Sequence, residues 1–280
     1  MIQLTGRHAA SAIAALAALS TLTACEGADI EINGQKGVPL SEVEIAGPAP
    51  SEVVLASGDT VILTEGDTFT LKVEGSNTDS LRFVRDDETI GITREDGWNG
   101  SSNATILITM PAPREVTIAG SGTIKAATLA STSEISIGGS GTVEFGTVAA
   151  ERLGINIGGA GKVSGAGTVR NLEISIGGSG DVEMAGLKAD TAEIAIGGAG
   201  DVAFASDGEV TASIAGAGDI NVTGNAKCTV SAFGSGTLTC APGASGATAA
   251  IPAPVETPET SGVPIAPKAP TAPIVAKPAE

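Results

Sequence analysis

Between residues 114 and 241 one pattern returns at a nearly constant period, and it constrains the fold more than any other feature of the chain. Gly-Ser-Gly or Gly-Ala-Gly begins at Gly120, Gly139, Gly159, Gly178, Gly198, Gly216 and Gly234, at spacings of 19, 20, 19, 20, 18 and 18 residues. A repeat of this length marks a stacked architecture. Aligning on the glycines exposes apolar columns. Before the turns stand Val116, Ile135, Ile155, Ile174, Ile194, Ala212 and Val230, then Ile118, Ile137, Ile157, Ile176, Ile196, Ile214 and Ala232. After the turns stand Ile124, Val143, Val163, Val182, Val202, Ile220 and Leu238. Small or polar residues separate the columns, among them Thr117, Ser136, Asn156, Ser175, Ala195, Ser213 and Ser231.

Each repeat therefore offers two short strands with one apolar face apiece, joined by a tight turn. A single repeat cannot bury that face, but a stack buries it as continuous aliphatic ladders. No proline interrupts the chain between Pro113 and Pro242, as doubly paired strands require. The pattern predicts an all-β protein whose main body is a parallel β-solenoid of about seven coils of ~19 residues. At ~4.8 Å per strand the stack would be about 34 Å long.

The flanking segments read differently. Residues 42–113 alternate with period two in short stretches such as Val53–Leu55, Thr60–Thr64 and Ala104–Met110, separated by turn signals such as Ser57-Gly58-Asp59. They predict a strand-rich segment preceding the solenoid. Residues 25–41 read as a polar tether. Residues 242–280 carry nine of the 14 prolines, with Ala, Val, Thr and Ser, and read as a disordered tail.

Arg7 followed by an apolar run from Ala9 to Leu22 reads as an export signal over residues 1–24, too short for a permanent membrane span. Leu22-Thr23-Ala24-Cys25 resembles the lipobox of bacterial lipoproteins. That resemblance implies cleavage before Cys25 and a diacylglycerol on its thiol, with palmitate-type chains holding the protein at a membrane. Several acyl chains anchor stably, since each buried CH₂ contributes roughly 0.8 kcal/mol. Glu26 stands where an Asp would retain an enterobacterial lipoprotein in the inner membrane, so the outer membrane is the expected address.

Repeated Ile-Gly-Gly-Ser-Gly-x-Val, at Ile137–Val143 and Ile176–Val182, resembles the GIN-domain family, described as an autotransporter-adhesin head domain. The lead-in from Ile106 to Gly122 resembles it as well, and the likeness runs from about Val43 to Cys240. It implies a right-handed β-helix on an exported, often lipid-anchored protein of the bacterial cell envelope.

Composition narrows the chemistry. The chain of 280 residues has net charge −17, and cutting before Cys25 makes it one unit more acidic by removing Arg7. That balance opposes binding to nucleic acid, which needs clustered Lys and Arg. The single histidine, His8, lies in the signal segment and there is no tyrosine, so His-based catalysis and His-ligated metals are excluded from the mature chain. No nucleotide is expected either: Gly161-Lys162 is followed by Val163, and Asn156 takes the place of a phosphate loop's first glycine. No cofactor is implied.

Asp181, Asp201 and Asp219 follow three successive turns and should stack, so calcium could relieve their repulsion. Thr123, Thr142, Lys162 and Thr237 fill the other rungs, and solvated carboxylates are the favoured reading, with no dedicated metal site. Cys228 and Cys240 bracket the last coil with inward parity, which in an oxidising envelope favours a disulfide over two buried free thiols. Asp86-Asp87-Glu88 reads as a solvated loop, and Trp98 either caps the first coil or is an exposed contact.

The function expected is non-enzymatic: a lipid-anchored, adhesin-like module whose solenoid face binds an envelope protein or polysaccharide. A polysaccharide-active β-helix enzyme working through paired carboxylates such as Asp181 and Asp201 is the rival. A periplasmic assembly or stress factor is the third reading. Few aromatics and only Lys162 and Arg170 as bases near mid-stack count against the enzyme.

Overall fold

The computed structural model describes residues 30–240; Cys25, the signal segment and the proline-rich tail lie outside them. Strands dominate. From the N-terminus they are β1 (Glu31–Ile32), β2 (Gln35–Lys36), β3 (Glu52–Leu55), β4 (Thr60–Glu65), β5 (Thr70–Ser76), β6 (Leu81–Arg85), β7 (Thr89–Arg94), β8 (Asn103–Met110) and β9 (Glu115–Ile118). There follow β10 (Thr123–Ala126), β11 (Thr132–Ile137), β12 (Thr142–Ile157), β13 (Lys162–Ile176), β14 (Asp181–Ile196), β15 (Val202–Ile214), β16 (Asp219–Thr223), β17 (Lys227–Ala232) and β18 (Thr237–Cys240). Among the described residues the helical elements are two short 3₁₀ turns, Leu40–Glu42 and Thr78–Ser80.

The repeat columns become parallel ladders in register. On the first side β9, β11, β12, β13, β14, β15 and β17 pair in that order, with Val116 opposite Ile135, then Ile155, Ile174, Ile194, Ala212 and Val230. On the second side β10, β12, β13, β14, β15, β16 and β18 pair in the same way through Ile124, Val143, Val163, Val182, Val202, Ile220 and Leu238. The interior members of these columns are essentially sealed from solvent until the last coil. Each such Val or Ile contributes roughly 1.5–3 kcal/mol by burial.

The strand-rich segment continues the same stack. Val53 and Leu55 of β3 pair with Val116 and Ile118, and Val61 of β4 pairs with Ile124. Ser57-Gly58-Asp59 makes the turn between β3 and β4 that glycines make elsewhere. The rung beyond is β7 with β8, since Ile92 pairs with Leu55 and Ile106 with Val61. The two N-terminal rungs therefore lie in the reverse of their chain order. Beyond them β6 runs antiparallel to β7, and β5 antiparallel to β8, so the outermost strands reverse direction. A bridge from Val38 to Phe83 of β6, and Ile32 packed on Gly91, extend the cover. Covering an edge in this way removes a template for unwanted strand pairing.

The central coils also have a third side. Residues 147–150 of β12 pair with 166–169 of β13, and these with 186–189 of β14, next to bulges. Inward side chains here are Val148, Val169, Leu187 and Ala189. Size is balanced between coils: Phe145 fills the space above which Gly165 sits, where a Cβ would stand 2.1 Å from the ring.

Candidate binding faces of the stack

Because side chains alternate in and out along a strand, every outward position becomes a straight column down the stack. On the first side one column is acidic: Glu52 pairs with Glu115, Glu115 with Glu134, and, beyond Gly154, Glu173 with Glu193. The neighbouring column of Thr117, Ser136, Asn156, Ser175, Ala195 and Ser213 is small and polar, leaving the carboxylates raised from a flat sheet. Local partners hold some of them. Asn156 donates to Glu134 at 2.8 Å, Thr89 to Glu52 at 3.1 Å, and Arg152 bridges to Glu173.

Glu115 sits between two like charges. Burial, then Glu52 and Glu134, push its pKa above the ordinary value, against weaker support from Thr117 and Arg114. A carboxyl whose folded pKa is raised binds protons more tightly folded than unfolded, so stability falls as pH climbs from the unfolded pKa through the folded one. Glu115→Gln is expected to raise the melting temperature at neutral pH and to flatten its rise on mild acidification. Melting scans across the carboxylate titration range check this; an unchanged profile would contradict it.

On the second side Thr105, Thr60, Thr123 and Thr142 form one column, which continues through Lys162 and Asp181. Asp201 and Asp219 occupy the same place on later coils, and their carboxylates are engaged. Asp201 accepts the Asp219 amide at 3.1 Å, and Asp219 accepts the Thr237 amide at 3.1 Å and its hydroxyl at 2.7 Å. Among the described residues no group of three or more His, Cys, Asp or Glu is arranged to hold a metal ion. Lys162 pairs with Glu183 at 2.7 Å and Arg170 with Glu151 at 3.3 Å, so these two bases are ion-paired on the surface.

Cys228 and Cys240 are joined by a disulfide, with Cα atoms 6.8 Å apart. Cys228 stacks on Val210 and Cys240 on Val222, so the bridge crosses the interior of the last coil. Closing this short loop is worth about 3 kcal/mol. Because a coil touches only its neighbours, reduction is expected to fray residues 219–240 while leaving the rest protected. Hydrogen exchange with and without reductant checks it; uniform loss of protection would contradict it.

Two other sequence-marked groups have structural work at the N-terminal end. Asp86 accepts the amides of Thr89 and Glu88 and the side chain of Asn33. Burial opposes its ionisation, but those bonds outweigh it and hold its pKa below the ordinary value. Trp98 lies against Arg94, whose guanidinium is 5.2 Å from the ring centroid, and Gly100 leaves room for the indole. Arg94 itself belongs to a buried network missed in the sequence. Its Nε and Nη2 donate to Asp59 at 2.9 and 2.5 Å, while Ser57 and the Ala104 amide donate to the same carboxylate at 2.8 and 3.0 Å. Asp59 reads as a turn residue from its neighbours alone; only the distant Arg94 reveals its role.

A depression of about 230 Å³ opens beside Lys36, Arg82, Glu95 and Asp96 at the N-terminal end. That is below the usual volume of small-molecule sites, roughly 300–1,000 Å³. Among the described residues no helix is long and apolar enough to cross a membrane.

A family model described as "Putative auto-transporter adhesin, head GIN domain" matches residues 49–226. The chain belongs to this family. The GIN match begins just ahead of β3, so it takes in the two reversed N-terminal rungs together with the glycine-marked coils, and it ends just before β17. Solved structures share the GIN fold. One, described as a "putative adhesin" from Bacteroides fragilis, is 19% identical with a TM-score of 0.63, covering 70% of this chain and 94% of that one. Another, a "putative lipid binding protein" from Parabacteroides distasonis, is 20% identical with a TM-score of 0.53 and the same coverage. No curated protein matches the chain.

Proposed function

We propose that this GIN protein is a lipid-anchored, non-catalytic binding module of the cell envelope, and that its first side grips a hydroxyl-rich envelope polysaccharide. The observation that carries the reading is the raised carboxylate column, Glu52, Glu115, Glu134, Glu173 and Glu193, beside a row of small polar side chains. Carboxylates accept hydrogen bonds from sugar hydroxyls, and a periodic column suits a periodic polymer. Multiple weak contacts along the stack then add up without an enclosed pocket. The adhesin description of the family and of its neighbour supports the same reading. Asp201, which a hydrolytic mechanism would pair with Asp181, already accepts a hydrogen bond from the Asp219 amide, which favours binding over catalysis.

Anchoring rests on Cys25. Palmitate fed to the producing cells should label the protein, and Cys25→Ala should abolish the label. For the binding face, a Cys25→Ser chain is applied to isolated envelopes of the producing bacterium. Glu134→Gln/Glu173→Gln/Glu193→Gln is expected to lower retention about tenfold or more. Periodate treatment of the envelopes should abolish retention of the parent chain, whereas protease treatment should spare it. Equal retention of the triple variant would remove this face from the contact, and protease sensitivity would make the partner a protein.

A further inference from the structure

The two ends of the stack are built differently. The N-terminal end finishes in antiparallel strands, β5 on β8 and β6 on β7, whereas at the C-terminal end the parallel strands β17 and β18 pair with β15 alone and β16 alone among the described residues. One rung inward, Ala212, Ile214, Ile220 and Val222 are at most 1% exposed, whereas Val230, Ala232, Leu238 and Cys240 of the last rung are half-buried. The backbone groups of two edge strands and a strip of the apolar interior thus face outward together. Phe233 stands at the turn corner of this rung and is 77% exposed, where the corners below carry Ala215, Gly197 and Gly177.

Charge changes at the same place. The rung below carries Asp207, Glu209 and Asp219, but residues 227–240 contain no acid and one base, Lys227. In a chain of net charge −17, another copy can approach residues 227–240 of this rung without facing carboxylates from them.

We infer that the C-terminal rung is an interface between two copies of this chain, stacked end to end about a two-fold axis that passes through the Phe233 corner. Such an axis lays β17 antiparallel on the second copy's β18, and β18 on its β17, so both open edges are paired at once. It also brings the two Phe233 rings together over the half-buried ends of the columns. A contact about a two-fold axis is isologous and uses up both open edges, so it stops at two copies instead of growing into a fibre.

The test uses the full exported chain with Cys25→Ser, which removes acyl chains as a cause of association. Sedimentation equilibrium over a wide concentration range should show monomer and dimer and nothing larger. Phe233→Asp should weaken the dimer by at least about 100-fold, a loss typical of a central aromatic contact. The ring is exposed in the single chain, so the variant should keep the circular dichroism spectrum and melting temperature of the dilute monomer. Hydrogen exchange supplies the second readout: amides of 227–240 should be slow in the dimer and fast in Phe233→Asp. A monomer at every concentration would overturn the inference, as would species beyond two copies or a dimer indifferent to Phe233→Asp. Slow exchange of 227–240 in a monomer would overturn it too, because the chain's own residues 241–280 would then be covering the end.

Discussion

Asp59→Ala is expected to be among the most destabilising single changes in the protein, at about 3–5 kcal/mol, because it strands a buried charge. Arg94 is 7% exposed and Asp59 1% exposed, so neither can turn to water when its partner is removed. The carboxylate also collects Ser57 from the turn below the first glycine coil and the Ala104 amide from β8. It thereby ties together the two rungs whose order is reversed, where no repeat period enforces the register. Chemical denaturation of Asp59→Ala, Arg94→Met and the pair measures this. The double variant should recover part of the loss, since an uncharged pair leaves no uncompensated ion. A loss below about 1 kcal/mol for Asp59→Ala would show that the network does not hold the reversed rungs.

The second large effect separates two adjacent glycines. At Gly159 an added Cβ would lie 2.1 Å from the carbonyl oxygen of Gly139, a rigid backbone atom of the coil below. At Gly158 its nearest neighbour would be the Ile137 carbonyl at 3.9 Å, an ordinary contact. Gly159→Ala should force the coils apart and cost about 3 kcal/mol or more, as overpacking against backbone does. Gly158→Ala should stay within about 0.5 kcal/mol of the parent. Matched melting temperatures for the two variants would contradict the stacking geometry, since only direct coil-on-coil contact distinguishes them.

How far the sequence carries is itself explained by this geometry. The columns ending at Val230, Ala232 and Leu238 are legible because a parallel in-register stack repeats one local environment, so periodicity maps directly onto contact. The glutamate column follows from the same alignment, one place before Val116, Ile135 and Ile174, and needs only attention to the outward positions. The reversed order of β3–β4 and β7–β8 does not. Both obey the same alternation, and nothing local says which of two similar rungs lies nearer the glycine coils. The third side is faint for a different reason: Gly146, Ala149, Ala150 and Gly186 carry little β-propensity and little apolar contrast. The Asp59–Arg94 pair, 35 residues apart, is a tertiary fact with no sequence spacing to announce it.

The proposal that the stack is an adhesin-like binding surface of the cell envelope is tested most directly by asking whether it faces the cell exterior. Lys125, Lys162 and Lys188 have side chains 50%, 44% and 51% exposed on the outer faces of three coils. An amine reagent that cannot cross the outer membrane, applied to intact producing cells and followed by peptide mass mapping, reads them directly. The account predicts that all three lysines are modified on intact cells to the same extent as after permeabilisation. Modification only after permeabilisation would place the stack in the periplasm and contradict a surface-binding role.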